Sequence, residues 1–235
     1  MSSALVRFVT TQLKSAADPA KAPAMAAYMK TKQPFYGVPT PERAEIMRKT
    51  RDRFAPPDQL AYEQGVMALW RLPHREERYA AIAYARQHPR FIAPASMPVY
   101  ERIIREGAWW DFVDETAANL VGMVLLKHRG ATRPVLDRWI DDKDMWIRRT
   151  ALIAHLHHKE QTDADQLFDH CLRRAHEKEF FIRKAIGWGL REYSKTDPKR
   201  VRFFLNRNRA RLSPLSFSEG SKVLERGGMM GADAR

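Results

Sequence analysis

Apolar residues recur at spacings of three and four along most of the chain, and the strict alternation expected of half-buried strands is scarce. The spacing predicts a first helix capped by Ser2 or Ser3, carrying Leu5, Phe8, Val9 and Leu13 and ending near Ala17. A second helix holds Met25, Tyr28 and Met29, and the Pro- and Gly-bearing stretch from Thr31 to Pro39 breaks the pattern. Thr40-Pro41-Glu42 then reads as a helix start, with a capping residue, a proline at the first helical position and an early acid. Further helices are expected at about Asp58–Trp70, Arg75–Gln87, Met97–Gly107 and Asp111–His128. The same period continues near Arg133–Asp142, Met145–His157, Ala164–Lys178, Phe181–Ser194, Pro198–Asn208 and Ser218–Arg226. The Gly- and Met-rich end from Gly227 to Arg235 reads as a disordered tail.

The second half of the chain echoes itself. Trp146-Ile-Arg-Arg-Thr-Ala matches Phe181-Ile-Arg-Lys-Ala-Ile at an offset of 35 residues (181 − 146), and each copy opens the second helix of a pair. Helix pairs recurring at that spacing indicate an all-α solenoid of HEAT-like type, here one domain over residues 1–226. Stacked pairs present equivalent positions along a concave inner surface. Arg148, Arg149, Arg183 and Lys184 fall where such a groove becomes basic.

Charge sharpens the picture. Forty-one Lys and Arg against 28 Asp and Glu give +13 and a pI near 10.1, which favours a polyanionic partner, nucleic acid before an acidic membrane surface. No run of about 18 apolar residues is present to span a bilayer, and the N-terminus lacks the apolar core of a secretory signal. Cys171 is the sole cysteine, set on an apolar helical face with Leu167, Phe168 and Leu172. It forms no internal disulfide and reads as a buried, inert thiol in a cytoplasmic protein.

Candidate chemistry begins at Glu106-Gly-Ala-Trp-Trp-Asp-Phe-Val-Asp114. If a helix starts at or just before Trp110, then Trp110 and Asp114 share one face. An aromatic plate beside an anion suits a cationic ligand or a cationic transition state. The same residues also fit a plainer account, with the tryptophans as core anchors and Asp111 as an N-cap. Arg149 likewise fits either a phosphate fork or a salt bridge to Asp142 or Asp144.

Three blocks carry a family resemblance: Trp-Trp-Asp-Phe-Val-Asp (109–114), Trp-Ile-Arg-Arg-Thr-Ala (146–151) and Glu-Phe-Phe-Ile-Arg-Lys-Ala-Ile-Gly-Trp-Gly-Leu-Arg-Glu-Tyr (179–193). With Met-Ala-Ala-Tyr-Met-Lys (25–30) and Phe-Tyr-Gly-Val-Pro-Thr-Pro-Glu-Arg (35–43), they resemble the AlkD family of HEAT-like DNA glycosylases, over about residues 20 to 200. By motif position, the resemblance implies an active cleft formed by Trp110, Asp114, Arg149 and Trp188, none of them substituted. Tyr28 aligns with a tyrosine near the lesion-facing surface. The implied activity is monofunctional excision of N3- or N7-alkylated purines from duplex DNA. Water is the nucleophile, with no metal, organic cofactor, membrane or obligate protein partner, and the protein is expected to be a monomer at the nucleoid.

The residue types suit that chemistry. Alkylation at N3 or N7 leaves the purine cationic and already a good leaving group, so little general acid is needed. Breaking the N-glycosidic bond builds oxocarbenium character on the sugar, which a carboxylate at Asp114 would stabilise while positioning water. Trp110 and Trp188 would flank the lesion, and Arg149 would grip phosphate. Arg148, Arg183, Lys184 and Arg191 are further backbone-contact candidates. Two other classes stay open: a non-catalytic DNA-structure binder, which needs neither Trp110 nor Asp114, and a protein-binding scaffold. His155, His157, His158 and Glu160 do not form a His-Glu-x-x-His motif, so no metal is assigned there. Lys199 to Arg211 is strongly basic and fits either a solvated face or a DNA-backbone contact.

Overall fold

A computed structural model describes residues 2–230 and contains fourteen α-helical segments and no strand among them. Contacts divide the chain into two compact units, one running up to Val99 and the other from Tyr100.

The first unit is built from α1 (Ser2–Ser15), α2 (Ala22–Tyr28), α3 (Thr40–Arg53), α4 (Gln59–Trp70) and α5 (Arg75–Gln87). The 3.6-residue period brings Leu5, Val9 and Leu13 to one side of α1, where they are buried with Tyr62, Val66, Leu69 and Ile82. Caps fix the boundaries. Asp58 accepts from the Ala61 amide at 2.7 Å to start α4, and Glu77 reaches back to the His74 amide at 2.8 Å to start α5. The 31–39 loop is irregular but pinned, because buried Glu76 accepts from the amides of Tyr36, Gly37 and Val38 at 3.1, 2.8 and 3.1 Å. Gly37 is required there: its φ is +84°, and a Cβ would sit 1.9 Å from the Asp18 carbonyl oxygen.

α6 (Met97–Gly107) spans the division between the units. The second unit continues through α7 (Trp110–Thr116), a π-helical segment (Ala117–Val121) and α8 (Gly122–Lys127). It then runs through α9 (Arg129–Trp139), α10 (Met145–Ile153), α11 (Ala164–Arg173), α12 (Phe180–Ser194), α13 (Pro198–Arg207) and α14 (Pro214–Arg226). α10 packs against both α7 and α12, and α12 packs most extensively against α14. Ile147, Leu152, Ile182, Ile186, Leu190 and Leu224 are fully or almost fully buried along this seam.

The echo seen at 146 and 181 is one interval of a longer series. Trp110, Met145 and Phe180 open their helices at steps of 35 (145 − 110 and 180 − 145), and Pro214 follows one residue short of the next step. The repeat therefore brings equivalent positions on α7, α10, α12 and α14 into register.

Several boundaries differ from expectation for local reasons. The single helix expected over Asp111–His128 widens into a π turn at Ala117–Val121. α9 begins a turn earlier than expected and carries Pro134 inside it, because the amides of Ala131 and Thr132 bond to the His128 carbonyl and start the helix first. α14 starts at Pro214 rather than Ser218, capped by Ser213, whose hydroxyl accepts from the Ser216 amide at 3.1 Å. It ends in a Schellman turn: Gly228 has a φ of +67°, and the Met229 amide bonds to the Leu224 carbonyl at 2.8 Å. Gly228 and Met229 of the expected tail take part in this turn, and 231–235 lie outside the described residues.

Candidate active site

The chain enters α7 through Ala108, held at a φ of +38°, and Trp109 is the residue that precedes the helix, so Asp111 is not its N-cap. Asp111 instead accepts from the Phe112 amide at 3.0 Å. Trp109 packs with Trp146 and Phe181, at ring-centroid distances of 6.1 and 5.7 Å, and Trp146 meets Phe181 at 4.8 Å. Since Trp146 and Phe181 are the second residues of α10 and α12, the 35-residue step brings these two rings together, and Trp109 joins them from just before α7.

Above it stands an ion pair. Arg149 Nε donates to Asp114 Oδ1 at 2.7 Å and Nη2 donates to Oδ2 at 2.8 Å, a bidentate fork across 35 residues. Arg149 Nη1 donates to the Phe181 carbonyl at 2.5 Å, so one guanidinium ties α7, α10 and α12 together. The Arg149 side chain is 5% exposed and Asp114 is 16% exposed. Burial raises the Asp114 carboxyl above its ordinary range, and the two bonds and charge of Arg149 pull against that. The result is a carboxyl group held in one orientation with a small part of its side chain exposed. Trp110 lies one turn before Asp114 on the same helix and is half-buried. Trp188 is half-buried on α12, two turns beyond Phe181.

The positively charged candidates fare differently. Arg149 spends one N–H of each of its three nitrogens on Asp114 and Phe181, an arrangement that orients the carboxylate. Its partner is neither Asp142, which Arg105 binds at 2.6 Å, nor Asp144, which caps α10 at the Trp146 amide. Arg148 forms an ion pair at 2.9 Å with Glu177, an acid it shares with Arg174, and bonds to the carbonyls of Asp142 and Lys143. Arg183 is half-buried, and its carbonyl accepts from the Ser216 hydroxyl at 2.9 Å. Lys184 and Arg191 converge with Lys222 on one buried carboxylate, Glu219. Burial alone would raise Glu219, but the hydrogen bonds and charges of Lys184 and Lys222 outweigh it and hold it at about 2. Three partly exposed cations on one acid leave this corner of α12 and α14 net positive.

Asp114, Arg149, Lys184 and Glu219 stand at successive steps of 35 (149 − 114, 184 − 149, 219 − 184), and the first and last pairs are salt-bridged. Glu219 and Lys222 were not among the candidates read from the sequence, although that step would have found Glu219. Tyr28 is 71% exposed at the end of α2. Among the weaker candidates, His155 and His158 are buried with ring centroids 5.5 Å apart while His157 is exposed, and Cys171 is fully buried, which pushes its thiol up.

A family model described as DNA alkylation repair enzyme matches residues 9–224. The chain belongs to this DNA alkylation repair family. Its membership agrees with a solved structure described as a predicted DNA alkylation repair enzyme from Enterococcus faecalis. That structure is 32% identical, covers 88% of this chain and 96% of its own, and superposes with a TM-score of 0.81. A second structure, smu.31 from Streptococcus mutans UA159, shares the fold at 14% identity and a TM-score of 0.58, over 77% of this chain and 94% of its own. No match is found among curated proteins. No helix among the described residues of this family member is long and apolar enough to cross a membrane.

Proposed function

We propose that this member of the DNA alkylation repair family is a monofunctional glycosylase that hydrolyses the N-glycosidic bond of cationic N3- or N7-alkylated purines in duplex DNA. The observation that carries the reading is the Asp114–Arg149 pair: a largely desolvated carboxyl group, fixed by a bidentate fork and still 16% exposed. An anion so placed stabilises positive charge developing on a deoxyribose and orients the water that attacks it. Trp110 and Trp188 would offer π faces to the cationic nucleotide. In this reading the helix pairs of the second unit stack as HEAT-like repeats whose inner, basic wall carries these positions. Lys184, Arg191 and Arg183 then bear on phosphates, Tyr28 contributes a contact from its own unit, and Arg148 braces the wall. The protein acts as a monomer in the cytoplasm, on the nucleoid, with water as co-substrate.

The alternative is a DNA-structure binder without catalysis, favoured by the Arg149 charge that already sits against Asp114 and offsets it. Purified protein incubated with duplex containing 7-methylguanine separates the two. Release of free 7-methylguanine above the spontaneous rate supports the glycosylase, and tight binding without release supports the binder.

A further inference from the structure

The strongest positive density on the chain is not at the candidate active site. From Pro198 to Leu212, six residues are basic (Lys199, Arg200, Arg202, Arg207, Arg209, Arg211) and none is acidic. This stretch, α13 and the turn after it, holds nearly half of the net charge of +13. α13 turns Val201, Phe204 and Leu205 inward, and Phe204 stacks on Phe168 of α11 at 4.4 Å. Arg200 is tied to Asp165 of α11, which fixes the helix about its axis. The opposite face then displays Phe203, 65% exposed, with Lys199 and Arg207 one turn to either side and Asn206 at i+3, all exposed. None of these side chains belongs to the helices that carry Asp114, Arg149 or Trp188.

An exposed phenyl ring encircled by cations and an amide is poorly matched to an apolar protein surface, which would desolvate the charges without pairing them. It is equally poor as a membrane anchor, because a single ring makes no apolar stripe to insert. Duplex backbone would satisfy the cations and leave the ring unused. Unpaired bases use all of it, since they stack on an aromatic face of any sequence while their phosphates meet the flanking charges. We infer that the outer face of α13 is a second nucleic-acid site that takes single-stranded DNA, stacking a base on Phe203 and seating the adjoining phosphates on Lys199 and Arg207. The protein would thereby hold unpaired DNA on one face while its candidate active site engages duplex on another.

The test uses the full chain and a fluorescein-labelled 16-mer of thymidine, which offers no alkylated purine, with anisotropy read between 50 and 200 mM KCl. Phe203→Ala is expected to weaken binding by about fivefold or more at every salt concentration and leave the salt slope unchanged. Lys199→Gln with Arg207→Gln is expected to reduce the slope by about 1.4, from two phosphates at roughly 0.7 each. Trp188→Ala is expected to bind the oligomer as the wild type does. Thermal unfolding of each variant, all altered at exposed or half-buried positions, checks that the fold is intact. Failure of the wild type to bind, wild-type affinity in Phe203→Ala, or an equal loss in Trp188→Ala would each overturn the assignment. Because no base is excised in this assay, its outcome is separate from that of the glycosylase reading.

Discussion

Removing the Arg149 guanidinium separates two roles that the residue type alone permits. In the structure its nitrogens are bound to Asp114 and to the Phe181 carbonyl, with the side chain 5% exposed, and in the proposed reading its charge acts on the carboxylate rather than on DNA. Opposite unit charges about 4 Å apart at an effective dielectric near 20 attract by about 4 kcal/mol. Burial already raises Asp114, and Arg149 is the group that opposes this. In Arg149→Ala the carboxyl should therefore hold its proton to much higher pH. Asp114 must be ionised to stabilise a cationic sugar, so the acid limb of the single-turnover rate profile should move toward neutrality. Arg149→Lys, which keeps a charge but not the two-pronged geometry, should fall between. Affinity for undamaged duplex should keep its dependence on salt. The assay is base release from 7-methylguanine duplex between pH 5 and 9, corrected for spontaneous loss, beside duplex binding between 50 and 200 mM KCl. A phosphate-gripping arginine predicts the reverse: a salt slope smaller by about 0.9 and an unmoved pH profile. That pattern would refute the positioning role.

Other consequences are equally direct. Glu219→Gln leaves Lys184, Arg191 and Lys222 facing one another, and the loss of charged hydrogen bonds at a buried acceptor should cost about 1.5–3 kcal/mol in urea unfolding at pH 7. That difference should shrink as pH falls below 4.5 toward about 2, because a depressed carboxyl contributes its stability above the unfolded value and loses it on protonation. Gly187→Ala would place a Cβ 2.4 Å from Glu219 Cβ and 2.9 Å from the Ser216 carbonyl oxygen. It should destabilise by about 1–3 kcal/mol through overpacking, against a helix-propensity gain of about 1. His155 is buried with neither ring nitrogen bonded, and burial, with His158 beside it, lowers its pKa well below 6.5. Its neutral form is the folded form, so stability should be full above pH 6.5 and fall as pH drops below it, by at most about 1.4 kcal/mol per pH unit for this group. His155→Leu should flatten that part of the curve, and an unchanged acid slope would contradict the assignment.

Much of the architecture is legible in the chain because short-range chemistry sets it. Thr40-Pro41, Asp58 and Pro198 mark helix starts that the structure keeps within a residue or so, since such signals act over a single turn, although at α3 the N-cap is Pro39, Thr40 is already helical and its side chain makes no capping bond. Ser213-Pro214 carries the same signal, so the start ahead of Ser218 is a local effect rather than a tertiary one. The π turn after Asp114 has no such mark, and its widening accompanies packing: a Cβ on Gly122 would lie 2.4 Å from the Ala154 carbonyl oxygen, and the Gly122 carbonyl meets His158 at 2.8 Å. Proximity in sequence does not identify the partner of Arg149. Asp142 and Asp144 are near along the chain but serve Arg105 and the α10 cap, while Asp114 is one repeat away. The repeat period, read at only two helices, was the signal for both Asp114–Arg149 and Lys184–Glu219.

Asp114→Asn in single-turnover release of 7-methylguanine tests the central claim most directly. Asn keeps the shape and one acceptor for Arg149 but removes the charge that faces the sugar. The rate should fall by about two to three decades while duplex affinity stays within a few-fold of wild type. Release at the wild-type rate would contradict the account.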